Sequence, residues 1–260
     1  MSFPIQTAAT FPEAWPDALA ALAPRRESLT LSVDDAMVLG GFTPEFCREM
    51  AYFKAAFFSD TLLDALSQHL AGFENGAMPR TGYCSWKGST LLHQPCRTMH
   101  DLLGIITRPD PRVARALMVQ LATDDAIHIH LRDWRDIAPW AEFRMFFDAG
   151  ALLGISQYRH RAFFPELARN ERDIRRAIGR FLPDLTDALH MDSVVVDIAM
   201  QPDDTHGLRA ELIELNPFGA MTDPCLFDWK KHDFDGGLRL TTAHAARAAP
   251  PPETDDIWRI

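Results

Sequence analysis

ELIELNPFGAMTDPCLFDW, Glu211 to Trp229, decides how this chain folds. Leu212 to Leu215 reads as a strand that runs into Asn216-Pro217 and then a loop. Glu214 stands out, because a lone carboxylate in a run built for burial is costly. A second such residue, Asp197, sits in VVVDIAM, Val194 to Met200. The turn Gln201 to Gly207 joins the two strands, so they form a hairpin and lie side by side. Glu214 and Asn216 are two apart and therefore share a strand face. Two carboxylates and an amide oxygen converging on one point make an oxygen-only site suited to Mg2+. The same residues also suit a pair of edge-strand carboxylates facing water, and on the residues alone both readings stand.

The 260 residues fit one two-lobed domain, and a 47% hydrophobic share is that of a soluble globular protein. A net charge of -10 argues against a general nucleic-acid or anionic-membrane binder, since phosphate backbones need a basic surface. Cys47, Cys84, Cys96 and Cys225 show no CxxC spacing, which points to a reduced, cytoplasmic chain with neither a disulfide frame nor a zinc site. The start lacks the pattern of a signal peptide, and no run approaches the roughly 18 apolar residues of a membrane helix. GxGxxG, GxxxxGK[ST] and GxSxG are all absent, which leaves the Rossmann, P-loop and serine-hydrolase readings without support.

In chain order, Met1 to Pro24 is Ala- and Pro-rich, with helical character over Pro12 to Leu22. Asp34 to Gly41 reads as a turn. Thr43-Pro44-Glu45 opens a helix, with Phe46, Met50, Phe53 and Phe57 as a core-packing stripe. Met78 to Ser89 holds two spaced cations, Arg80 and Lys87, which suit phosphates but are equally ordinary surface charges. Thr98 to Ile106 and Arg112 to Ala122 are helices, and Ala126 to Trp134 is a strand whose His128 and His130 share a face and pack or meet solvent. A hairpin follows over Ala141 to Tyr158, turned at Asp148-Ala149-Gly150. Phe163 to Leu189 is amphipathic, with Ile174, Ala177, Ile178 and Phe181 inward and Arg172, Arg175, Arg176 and Arg180 outward. Asp223 and Pro224 read as the cap and first residue of a short helix.

Four blocks together resemble the cell division cycle protein 123 family, which has an ATP-grasp fold. LRDWRDIAPWAEFRMFF (Leu131 to Phe147) is similar to that family's Leu-Arg-x-Trp followed by Pro-x-x-Glu-Phe-Arg-x-Phe. LLGISQ (Leu152 to Gln157) is similar to its Leu-x-Gly-Ile-Ser-Gln, and VVVDIAM to its Phe-Asp-Val/Ile-Tyr strand. IELNPFGAMTDPCLFDW (Ile213 to Trp229) is similar to its Ile-Asp-Phe-Asn-Pro-Phe/Trp-Gly, Thr-Asp and Leu-Phe-x-Trp. The departures include Glu214 where the family has Asp, Tyr158-Arg159 after Gln157 where it has Arg-Asp, and, in the loop Pro79 to Ser85 that aligns more loosely with its Pro-Lys-Leu-Asn-Trp-Ser, Arg80 for a Lys and Tyr83 for a Trp.

The resemblance implies an α+β ATP-grasp fold of two lobes with the nucleotide between them. The expected lobes are residues 1–125, with the helical segment and the phosphate-side loop, and 126–242, with the metal hairpin; 243–260 would be a mobile tail. Asp197, Glu214 and Asn216 would hold Mg2+. The ATP contacts implied are Arg80, Ser85 and Lys87 in the phosphate loop, Arg132, Asp133 and Trp134 at the hinge, and Arg144 and Gln157 in the pocket. The family's eukaryotic members are assembly chaperones for translation initiation factor 2 that bind its gamma subunit, so a protein partner and an assembly role are implied. The alternative is an ATP-grasp ligase that forms an acyl phosphate from a carboxylate and joins it to an amine.

Overall fold

The structure is a computed structural model that describes residues 3–54, 57–86 and 94–243. Its described strands are β1 (Arg26–Thr30), β2 (Ala77–Thr81), β3 (His128–Asp133), β4 (Glu142–Asp148), β5 (Ala151–Gln157), β6 (Val194–Asp203), β7 (Gly207–Pro217) and β8 (Leu238–Arg239). The chain divides into two compact units. Ala9–Pro24 and everything from Arg135 to the last described residue belong to the second, and Arg25–Trp134 forms the body of the first.

In the first unit, β3 lies between β1 and β2, and both pairings are antiparallel. One sheet face presents Leu29, Ala77, Ile129 and Leu131 to a core completed by the helices Val33–Gly41, Pro44–Glu49, Asp60–Ala71, Met99–Ile106 and Pro111–Thr123. Across the other face, Arg132 pairs with Arg26 and Met78, and His130 pairs with Ser28 and Arg80.

Two expectations fail here for local reasons. Val33–Gly41 is a helix rather than a turn, because the Ser32 hydroxyl accepts the Asp35 amide and two acids occupy the first turn. The helix opened at Pro44 stops at Glu49, and the next begins only at Asp60. The helical period therefore ends before Phe53 and Phe57, which are 80% and 81% exposed while Phe46 is fully buried. The strand expected to open the second lobe is instead the centre of the first sheet, so the first unit ends at Trp134 rather than at residue 125.

The second unit is built on a five-stranded sheet in the order β7-β6-β4-β5-β8. Phe143, Met145, Phe147, Val194, Val196, Ile198 and Met200 line one face. They are covered by the helix Pro165–Ala188, through Ile174, Ala177, Ile178, Phe181 and Leu185. Trp15 and Leu19 join this core from the N-terminal segment, where Pro16 separates a short 3-10 turn from the helix Asp17–Ala20. The β4–β5 turn uses positive φ at Ala149 (48°) and Gly150 (74°), as a two-residue hairpin loop of the I′ type requires at both central positions. Among the described residues no helix is long and apolar enough to cross a membrane. Lys87 and the tail from residue 244 lie outside the described residues.

Candidate functional site

The sheet face opposite the long helix carries the polar residues. On β4, Glu142, Arg144 and Phe146 alternate outward from the helix-covered core, and Arg144 pairs with Asp197 on β6. Asp197 in turn pairs with Glu214 on β7, and Asn216 pairs with Val195. Directly paired residues share a face, so Arg144, Asp197, Glu214 and Asn216 come together on one side of three neighbouring strands.

A bulge makes this possible. The β6–β7 register slips between Asp197 and Ile198, whose partners are Glu214 and Leu212, leaving Ile213 as the extra residue. Leu212 and Leu215 are three apart yet both lie in the helix-side core. Strict alternation would have put one of them beside Asp197.

Asp197 is 5% exposed and densely partnered. Arg144 grips it bidentately, Nε donating to Oδ1 at 2.7 Å and Nη2 to Oδ2 at 2.8 Å. Asn216 Nδ2 donates to Oδ2 at 2.9 Å. The third Arg144 nitrogen, Nη1, donates to the Asp223 carbonyl at 2.9 Å, and the guanidinium lies 4.8 Å from the centre of the Tyr158 ring. Burial alone would favour losing the Arg144 proton, but the Asp197 carboxylate outweighs it and holds the guanidinium firmly charged. Burial, reinforced by the charges of Asp197, Glu214 and Glu142, pushes the Tyr158 hydroxyl well above its ordinary range, so it stays a neutral phenol.

The residues fit a hard divalent cation. Asp197, Glu214 and the Asn216 amide offer oxygen donors only, and two carboxylates against one guanidinium leave the group net negative.

The other expected site residues are placed as follows. Gln157 is fully buried; its Nε2 donates to the carbonyls of Arg159 (2.7 Å) and Ala162 (2.6 Å), and its Oε1 accepts the Thr241 amide (3.0 Å). In this structure it therefore organises the turn after β5. Arg80 and Arg132 share the polar face of the first sheet, Arg80 being 5% exposed with Nε on the Thr81 carbonyl at 3.1 Å. Ser85 bridges back to Arg80, and its carbonyl accepts Arg112 Nη2 at 3.0 Å. Asp133 and Trp134 follow at the end of β3, held by backbone bonds to Arg25 and Gly76. These five lie in the first unit, and Arg144, Gln157, Asp197, Glu214 and Asn216 lie in the second.

Sequence reasoning missed how the site is roofed. Residues 218–234 form a loop rather than the expected helix at Pro224, because Cys225 takes a left-handed φ of 55° that no α-helix continues, although the Asp223 carboxylate accepts its amide at 2.7 Å as a cap would. The loop is pinned where the Ser156 hydroxyl accepts the Leu226 amide at 3.1 Å. Phe227, Trp229 and Phe234 pack around Phe146 with ring centres 5.2 to 5.6 Å away. The conspicuous aromatics of the LFDW stretch were the available signal.

These two sheets with their helices make a mixed α+β architecture in which the acidic hairpin forms one edge of the larger sheet. It matches the structure of Cdc123 from Schizosaccharomyces pombe with a TM-score of 0.73, covering 93% of this chain and 98% of that one at 19% identity, a likeness that shows the fold. The D123 family model matches residues 99–251, and the chain belongs to that family. Among curated relatives, the translation initiation factor eIF2 assembly protein of Xenopus laevis is 32% identical over 124 residues, 47% of this chain and 32% of the relative. Cell division cycle protein 123 of Eremothecium gossypii is 34% identical over 113 residues, 42% of this chain and 31% of the relative. The matched stretch thus spans about a third of these curated relatives' length.

Proposed function

We propose that this protein binds Mg-ATP and acts as an assembly or interaction protein, in the cytoplasm, on a protein partner of the translation-factor class its relatives' names describe. The observation that carries the reading is the charge arrangement on β6 and β7. Asp197 is oriented by Arg144 and Asn216, and Glu214 stands directly across from it. Asp197, Glu214 and Asn216 would hold the ion. When bound, Mg2+ neutralises and orients triphosphate oxygens. Arg144 pairs with the Asp197 carboxylate through two bonds and fixes its rotamer. Arg80 and Arg132, on one face of the first sheet, supply positive charge suited to phosphates.

The test is calorimetric titration of ATP with and without Mg2+, on the native chain and on Glu214→Gln. Glu214 is the better choice because it is half-buried and is not the carboxylate that Arg144 grips. Binding that requires Mg2+ and falls at least about tenfold in Glu214→Gln is expected. Equal affinity in the two proteins, or binding indifferent to EDTA, overturns the metal assignment. Substrate-dependent ADP release with a panel of carboxylates and amines would replace the assembly role with a ligase.

A further inference from the structure

Three side chains with no part in the proposed magnesium site meet at the roof loop. His160 stands on the turn after β5, where its amide and Nδ1 both reach the Tyr158 carbonyl, at 2.9 and 3.2 Å. The turn is held from below by the two carbonyl bonds of Gln157 and by a Thr241 hydroxyl bond to the His160 carbonyl. Asp223 and Cys225 come from the loop. The Asp223 carbonyl is fixed by Arg144, and one carboxylate oxygen is committed to the Cys225 amide. Cys225 takes a positive φ of 55°, and its Sγ lies 3.7 Å from the same Tyr158 carbonyl. One ligand atom from each of His160, Asp223 and Cys225 lies within 4.8 Å of the other two.

We propose that His160, Asp223 and Cys225 form a binding site for a transition-metal ion of the Zn2+ class. The donor set is the argument. Imidazole nitrogen, thiolate sulfur and carboxylate oxygen suit Zn2+, whereas magnesium takes oxygen ligands only. In the tautomer that gives the Nδ1 hydrogen to the Tyr158 carbonyl, Nε2 would carry the lone pair. This backbone-carbonyl partnership is the one that orients metal-binding histidines. Closing ligand atoms now up to 4.8 Å apart onto one ion, with metal–ligand distances of about 2.0–2.3 Å, needs only a small inward shift of exposed Asp223 and half-buried Cys225. Three protein ligands leave one tetrahedral position for water or an incoming donor. The site uses none of Asp197, Glu214 and Asn216, and Arg144 links the two through its bond to the Asp223 carbonyl.

Co2+ titration of the full chain under reducing conditions tests this, read by the thiolate-to-cobalt charge-transfer band and by Zn2+ displacement. One equivalent of Co2+ with that band is expected, with Zn2+ abolishing it. Cys225→Ser should remove the band. His160→Ala and Asp223→Asn should each weaken binding by at least about tenfold, the loss that even outer-shell changes produce. Asp223→Asn keeps the oxygen that accepts the Cys225 amide, so its fold is preserved, and an unchanged urea midpoint confirms that. Cys47→Ser should bind as the native chain does, which separates this site from the Cys47 thiol. Absence of binding in the native chain, a band that survives Cys225→Ser, or equal loss in Cys47→Ser overturns the proposal.

Discussion

Asp197 is the residue on which the site's geometry turns. Its carboxylate and the Arg144 guanidinium are each 5% exposed and joined by two short bonds. Removing one member of such a pair strands the other charge in a low-dielectric setting. Asp197→Ala is therefore expected to lower unfolding stability by about 3–5 kcal/mol, measured by urea denaturation. The double variant Arg144→Met with Asp197→Leu should recover most of that loss, because replacing a buried pair by packed apolar groups is often close to neutral. A double variant no more stable than Asp197→Ala alone would show that the pair does more than neutralise itself. The same reasoning makes lost ATP binding in Asp197→Ala ambiguous, whereas half-buried Glu214 reports on the metal with less damage.

The elements around the site depend on two tight fits. The first is Gly154 on β5, beneath the roof loop: a methyl there would lie 2.4 Å from Phe227 Cζ. Gly154→Ala is expected to cost about 1–3 kcal/mol through overpacking, seen as a lower Tm with altered near-UV dichroism from the Phe146–Trp229 cluster. An unchanged Tm would mean that the loop moves freely over β5. The second fit joins two helices of the first unit through buried Asp35. Its carboxylate accepts the Ser59 amide at 2.8 Å and the hydroxyls of Ser32 (2.7 Å) and Ser59 (2.9 Å). Burial pulls the Asp35 pKa up, but these three bonds prevail and hold it below its ordinary value. A depressed folded-state pKa stabilises the fold above the unfolded value of about 3.9, and that stability is lost as pH falls through the folded value. The stability gap between the native chain and Asp35→Asn, about 1–3 kcal/mol near neutrality, should therefore shrink below about pH 4 in urea melts. A gap that stays constant down to pH 2 would remove Asp35 from the acid response.

At the scale of the molecule, the notable feature is that the chain enters its second unit before it builds the first. Ala9–Pro24 belongs with residues beyond Arg135. Trp15 and Leu19 are 8% and 0% exposed in that unit's core, and the Leu212 amide donates to the Leu22 carbonyl at 2.8 Å. Leu19→Ala is expected to destabilise by about 2–5 kcal/mol. Hydrogen exchange should show the loss in β7 and in the helix Pro165–Ala188 rather than in β1–β3. Uniform loss of protection across both units would instead show that they unfold as one.

The sequence by itself determined the acidic hairpin, the long amphipathic helix and the family, because each rests on short-range pattern. Two carboxylate-bearing strands joined by one turn pair antiparallel with each other, and a 3.6-residue apolar period over residues 163–189 has one helical solution. It did not determine where the units part. Residues 126–134 read as a strand from either side, and only pairing with both β1 and β2 assigns that strand to the first unit. Nor did it separate a core stripe from surface aromatics at Phe53 and Phe57, since that depends on whether the helix continues past Glu49. Gln157 and Arg144 were legible as polar residues on β-strands, but the distant partners that hold them, the Thr241 amide donating to Gln157 Oε1 and the Asp223 carbonyl accepting from Arg144 Nη1, were not. The same holds for His160 and Cys225, which are far apart in the chain and match no ligand spacing. Only the tertiary structure, by folding the roof loop back over the end of β5, brings a thiol and an imidazole to one point.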